Sequence, residues 1–131
     1  MLRTYRYRLY PSRSQEQNLW RVLDACRGLY NLALAERKYA YQLEGRSVSK
    51  AELYTLAKRY RQTFPYASQM FSQTAQSVIE QVDLAFQAFF RRVKAGEKPG
   101  YPRFKGRGRY NSFLFKQFGF GARLDGRRLK L

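Results

Sequence analysis

Residues 89–115 read FFRRVKAGEKPGYPRFKGRGRYNSFLF, and within them the chain changes its period. Phe89, Phe90 and Val93 close the apolar face of a helix that Gly96 and Pro99 terminate. Beyond them Tyr101, Phe104 and Tyr110 alternate with Arg103, Lys105, Arg107 and Arg109. Phe113 and Phe115 against Leu114 and Lys116 then suggest a strand. Cations interleaved with flat rings, kept pliable by glycine, suit a polyanion that also offers stackable bases. The rings could equally plug a seam between helix and sheet, leaving the cations in solvent.

Upstream, Phe71, Ala75, Val78, Ile79, Val82, Phe86, Phe89, Phe90 and Val93 place a helix from Ser68–Ser72 to about Ala95. Arg91, Arg92 and Lys94 at its end suit either a phosphate or the helix macrodipole. Gln73 and Gln76 near its start are ordinary surface residues, or amides able to read adenine. Ser49 with Glu52 begins a shorter helix, which Phe64–Pro65 closes near Gln62. Ser12 with Gln15, or Ser14 with Gln17, begins the first helical stretch, and Gly45 stops it. Its buried stripe is Leu19, Val22, Leu23, Cys26, Tyr30 and Ala33. Gly28 within the stripe predicts an interruption, or two helices meeting near Cys26–Gly28.

At the start, LRTYRYRLY (2–10) puts Tyr5, Tyr7 and Leu9 on one period-2 face, which predicts a strand ended by Pro11. Arg3, Arg6 and Arg8 do not share one face of it. At the other end, Asp125–Gly126 between alternating segments predicts a hairpin, with Leu129 and Leu131 continuing the pattern. Strand pairing between the two ends would bring both basic termini to one surface and leave an open edge, as if the natural unit extended further. The expected fold is α+β, mainly α: a helical bundle inserted after a first strand, then strands and a hairpin of an incomplete small β-barrel. Residues 1–11 are the first strand, 12–97 the helical unit, and 98–131 the basic connection and late strands.

The formal charge of +17 is concentrated at the ends. Residues 1–13 hold Arg3, Arg6, Arg8 and Arg13 with no acid, and residues 98–131 hold ten cations against Asp125. With 44% apolar residues, the chain is too hydrophobic for a disordered tail. Such charge repels itself in a compact state unless an anion is bound. Histidine is absent and Cys26 is the single cysteine, so a Cys–His or Ser–His nucleophile and a Cys-rich metal site are excluded. Cys26 reads as a packed small hydrophobe. Glu80 and Asp83, the close acidic pair on the long helix, read as a solvated face rather than cation ligands. The implied chain is non-catalytic and needs no cofactor. With no membrane span and no secretory signal, the expected setting is reducing and cytoplasmic.

Four blocks carry a resemblance: YRYRLYPSRSQE (5–16), ACRGLYNLAL (25–34), AFQAFFRRVKAGEKPGYPRFKGRGRYNSF (85–113) and LDGRRLKL (124–131). In this order they resemble the N-terminal part of the TnpB (OrfB) family, insertion-sequence transposases with a helix-turn-helix segment. That family is understood as RNA-guided DNA endonucleases. The resemblance implies a wedge-like β-barrel with an inserted helical recognition unit, holding guide RNA and reading a motif beside the DNA target. It implies DNA and guide RNA as partners in a prokaryotic, nucleoid-associated setting. Nucleic-acid contacts would fall on Arg3, Arg6, Arg8, Arg91, Arg92, Lys94, Lys98, Tyr101, Arg103, Phe104, Lys105, Arg107 and Arg109, the cations on phosphates and the rings on bases. By position, Gln73, Gln76, Lys116 and Gln117 match the family's motif-reading contacts, with Ser49 and Ser72 looser matches. The family's RuvC-like nuclease domain and zinc ribbon lie further along than Leu131, so a fragment, a truncated gene or a split product is expected. The alternatives are a self-standing helix-turn-helix DNA regulator and a ribosomal-type RNA-binding protein.

Overall fold

The computed structural model describes residues 3–68, 70–97, 100–115 and 122–131. Helix α1 spans Arg13–Glu44 and starts at Ser12, which closes a reciprocal capping box with Gln15. Gly45 ends it, with the N–H groups of Gly45 and Arg46 covering the Tyr41 and Ala40 carbonyls. Helix α2, Lys50–Thr63, starts on the Ser49 hydroxyl, which accepts the Glu52 N–H at 3.2 Å. Pro65 prevents its continuation and opens a 3-10 turn, Pro65–Ala67. Helix α3 spans Ser72–Lys94.

The three helices pack up, down, up. Tyr60 on α2 reaches back to the Ala25 carbonyl on α1, and Arg61 reaches the Met70 carbonyl before α3. Arg37 on α1 meets Asp83 on α3. Leu29, Leu34, Leu53, Val78, Ile79 and Val82 are fully enclosed between them. Each such side chain contributes roughly 1.5–3 kcal/mol by leaving water. The long helix is amphipathic as its spacing predicts, except that Phe90 and Val93 are exposed where its last turns outrun the bundle.

Gly28 does not interrupt α1, which is continuous. A Cβ at position 28 would lie 2.5 Å from the Tyr60 hydroxyl, so glycine is there for the crossing of α2. Gly28→Ala is therefore expected to lower stability by about 1–2 kcal/mol, although alanine gains roughly 1 kcal/mol in helix propensity. In a Tyr60→Phe background the obstructing hydroxyl is gone, and the same substitution should become neutral or stabilising. Urea denaturation of the four proteins would show this sign change; an equal cost in both backgrounds would refute the contact.

Burial also sets the response to alkali. The Cys26 thiol, enclosed beside Met70 Sδ at 3.5 Å, is pushed up to about 12 by loss of water. Burial likewise raises Tyr30, Tyr60 and Tyr110. These groups are neutral in the fold and ionise more readily when unfolded, so their contribution is complete below their unfolded pKa values and lost as pH rises. Stability should stay level to about pH 8.5 and then fall, first through the thiol and above about pH 10 through the tyrosines. Denaturation midpoints against pH would check it, a level profile to strong alkali being the contrary result.

The β structure differs from expectation. Among the described residues one antiparallel hairpin forms, β1 (Arg123–Asp125) with β2 (Arg128–Lys130), pairing Leu124 with Leu129. Asp125 is the last paired residue, so the turn is Gly126–Arg127 rather than Asp125–Gly126. Neither strand contacts a helix. The strand expected at 2–10 is absent over the described residues 3–10, as is one over 111–115. No ladder in the described residues joins the two basic ends. The period-2 facing nevertheless survives at the start: the Tyr5 and Tyr7 rings stack at 6.3 Å, and Arg8 lies over Tyr10. Alternation fixes which side chains share a face, but a strand also needs a neighbouring backbone to bond. The fold class stands as α+β, mainly α.

Candidate nucleic-acid interface

The basic-aromatic run is a strap laid in the groove between α1 and α3, running opposite to both. Tyr101 packs on Phe89 (4.8 Å) and edge-on to Phe86 (5.8 Å) in the second half of α3. Tyr110 donates to the Gln81 side-chain oxygen at 3.1 Å. The Thr74 hydroxyl donates to the Leu114 carbonyl at 2.9 Å, and Phe115 meets Phe71 at 5.8 Å. Successive strap residues thus descend α3 from its end towards its start.

On the α1 side, the Asn31 amide holds the strap backbone at Lys105 through both its nitrogen and its oxygen. It donates to the Lys105 carbonyl (2.9 Å) and accepts the Lys105 N–H (2.7 Å). The Lys38 ammonium lies 5.5–5.9 Å from the Tyr39, Tyr101 and Phe104 ring centres, and Lys105 lies 5.6 Å from Tyr30. Each such contact contributes roughly 0.5–1 kcal/mol at a partly exposed site. Between these anchors the Arg109 N–H bonds the Gly106 carbonyl at 3.1 Å. Gly108 has φ 82°, the positive value a type II turn requires of its third residue. Arg107 stands at the tip of that turn.

The strap's rings and cations therefore divide their work. Tyr101 and Tyr110 face the bundle as anchors, while Phe104 is 43% exposed. Arg103, Arg107 and Arg109 are exposed, and Lys105 is half-buried. The described ion pairs engage Arg27, Arg37, Arg46 and Lys130. None of the strap cations, nor Arg91, Arg92 or Lys94 on the exposed last turn of α3, is paired with a carboxylate among the described residues. Arg46 gathers Glu36, Glu44 and Glu52 on itself.

Gln73 and Gln76 lie on the first turns of α3, half-buried and exposed respectively, next to the end of the strap. Ser49 and Ser72 are the residues at which α2 is capped and α3 begins. Lys98, Lys116 and Gln117 lie outside the described residues. Arg3, Arg6 and Arg8 are exposed, and no hydrogen bond, ion pair or ring contact among the described residues ties them to the strap.

Glu80 and Asp83 are not a solvated acidic face. Glu80 accepts from the Tyr54 hydroxyl at 3.3 Å, and Asp83 accepts from Arg37 (2.8 Å) and Gln87 (2.7 Å). Both hold helices together. No three Cys, Asp or Glu side chains among the described residues gather as metal ligands. Sequence reasoning missed Asn31 and Lys38, the two α1 residues that seat the strap. Asn31 had a weak signal, being a poor helix former placed mid-helix beside the apolar stripe. Lys38 had none.

Residues 1–46 match a family model for the helix-turn-helix domain of OrfB-type insertion-sequence proteins. Within the OrfB match the structure has the initial segment and one helix, α1; α2 follows across the 45–49 turn and folds back along it. Two curated relatives carry the name "Putative RNA-guided DNA endonuclease". The Escherichia coli K12 protein, InsQ, is 25% identical over 126 residues, 95% of this chain and 29% of its own length. The Streptomyces pristinaespiralis protein is 30% identical over 107 residues, 80% of this chain and 25% of its own. The chain thus spans between a quarter and three tenths of these relatives, in their N-terminal parts. No helix among the described residues is long and apolar enough to cross a membrane.

Proposed function

We propose that this chain is the nucleic-acid-holding part of an RNA-guided DNA endonuclease of the OrfB kind, with strand cleavage performed by sequence it does not contain. The observation that carries this is the strap. A run of outward cations without carboxylate partners among the described residues is pinned to a helical platform by Tyr101, Tyr110 and the Asn31 amide. Pre-seated cations lose little conformational freedom on meeting phosphate, and they favour an extended polyanion over a small ligand. Arg103, Lys105, Arg107 and Arg109 would hold guide RNA or its heteroduplex, extended by Arg91, Arg92 and Lys94, with Phe104 free to stack. Arg3, Arg6 and Arg8 would add contacts from the first segment. Gln73 and Gln76 would touch the DNA motif, together with Lys116 and Gln117. The division into 1–11, 12–97 and 98–131 belongs to the same proposal. Residues 3–10 and the hairpin keep strand-type faces, which a common β unit would use.

The family model's helix-turn-helix description favours a second reading, direct duplex recognition without RNA. Gel shifts of the chain with duplex DNA, structured RNA and both together separate the two. The proposed function requires RNA binding and a further shift when DNA is added. Tight, sequence-specific binding of duplex alone, indifferent to RNA, would favour the regulator.

A further inference from the structure

Where the strap leaves its turn, a pocket of about 170 Å³ opens, lined by Gln81, Lys105, Arg109, Tyr110, Asn111 and Ser112. No carboxylate lines it. Its neutral groups have their acceptors committed or are able to donate: the Gln81 oxygen takes the Tyr110 hydroxyl at 3.1 Å, which leaves the amide nitrogen for a ligand. The Lys105 backbone is held by Asn31, and its ammonium lies 5.6 Å from the Tyr30 ring centre. The Arg109 N–H is held by Gly106, and its guanidinium has no acidic partner among the described residues. Two cations, two primary amides and a hydroxyl around one open pocket match a small oxyanion, which accepts hydrogen bonds on every side and donates none.

We infer that this pocket is a seat for a single backbone phosphodiester, a fixed register point on an otherwise diffuse basic surface. The inference rests on the reading of the strap as a polynucleotide surface, and narrows it. Arg109 and Lys105 would grip one phosphate in a defined pose, with Ser112 and the Gln81 and Asn111 amides completing its shell. Arg103 and Arg107, outside the lining, would contribute charge without registering a particular phosphate.

The test is a titration of the whole chain with dimethyl phosphate, and separately with inorganic phosphate, followed on the side-chain amide NMR signals of Gln81 and Asn111. A saturable shift at both amides with the diester is expected. Its midpoint should rise at least fivefold in Arg109→Gln and about twofold in Ser112→Ala, and stay unchanged in Arg103→Gln. Linear shifts without saturation, an equal effect of Arg103→Gln, or a response to inorganic phosphate alone would each overturn the diester seat. Anisotropy of a labelled RNA hairpin, run in parallel, separates this from the wider reading. Strap-dependent RNA binding with a silent pocket rejects only the seat; a saturating pocket in a chain that ignores RNA rejects the strap's proposed role.

Discussion

Replacing Arg103, Arg107 and Arg109 together with glutamine is expected to weaken polynucleotide binding by about a hundredfold or more at ~0.1 M salt, with the thermal midpoint unchanged. Each phosphate neutralised releases about 0.9 of a counterion from duplex and about 0.7 from a single strand. Losing three contacts should therefore flatten the plot of log affinity against log salt by roughly 2–3 units. The fold should not respond, because these side chains are exposed and the anchors Tyr101, Tyr110 and Asn31 are untouched. Fluorescence anisotropy across a salt series measures both quantities. An unchanged slope would mean that the strap faces away from the polyanion.

The second large effect concerns stability. Arg37 and Asp83 meet at 2.8 Å with side-chain exposures of 12% and 18%, so water screens the pair little. The same guanidinium donates to the Val48 carbonyl at 3.2 Å and lies 5.3 Å from the Phe86 ring centre. It thereby joins α1, the α1–α2 turn and α3 at the place where Tyr101 lands. Asp83→Ala leaves this cation enclosed with its carboxylate gone, which should cost about 3 kcal/mol. The double replacement Arg37→Met with Asp83→Leu removes both charges at similar volume and should cost much less than the two single changes summed. Chemical denaturation of the full cycle measures the coupling; additive losses would show that the two residues act independently.

The helices were legible in the sequence because their signals are local. Ser12 with Gln15, Ser49 with Glu52, Gly45 and Pro65 each act within one turn, and the structure ends or starts an element at each. The strap's composition was legible too, but not its seating. Asn31 and Lys105 are 74 residues apart, and nothing near Asn31 announces a partner at that distance. Gly28 was misread for the same reason: its cause is the Tyr60 hydroxyl on another helix, not the local propensity of α1. The alternation at 2–10 correctly paired Tyr5 with Tyr7, yet a strand depends on a neighbouring backbone, which periodicity cannot supply. Glu80 and Asp83 sit on the polar side of α3 by spacing alone. Tyr54 and Arg37, which engage them, lie on other helices.

The most direct measurement is photocrosslinking of a bound structured RNA to the intact chain, with the adducts mapped by mass spectrometry. They should concentrate in residues 100–115, with Phe104 and the 106–109 turn foremost, and extend to the last turn of α3. Adducts confined to the exposed Leu32, Tyr39 and Leu43 face of α1, with 100–115 unlabelled, would contradict the strap as the gripping surface.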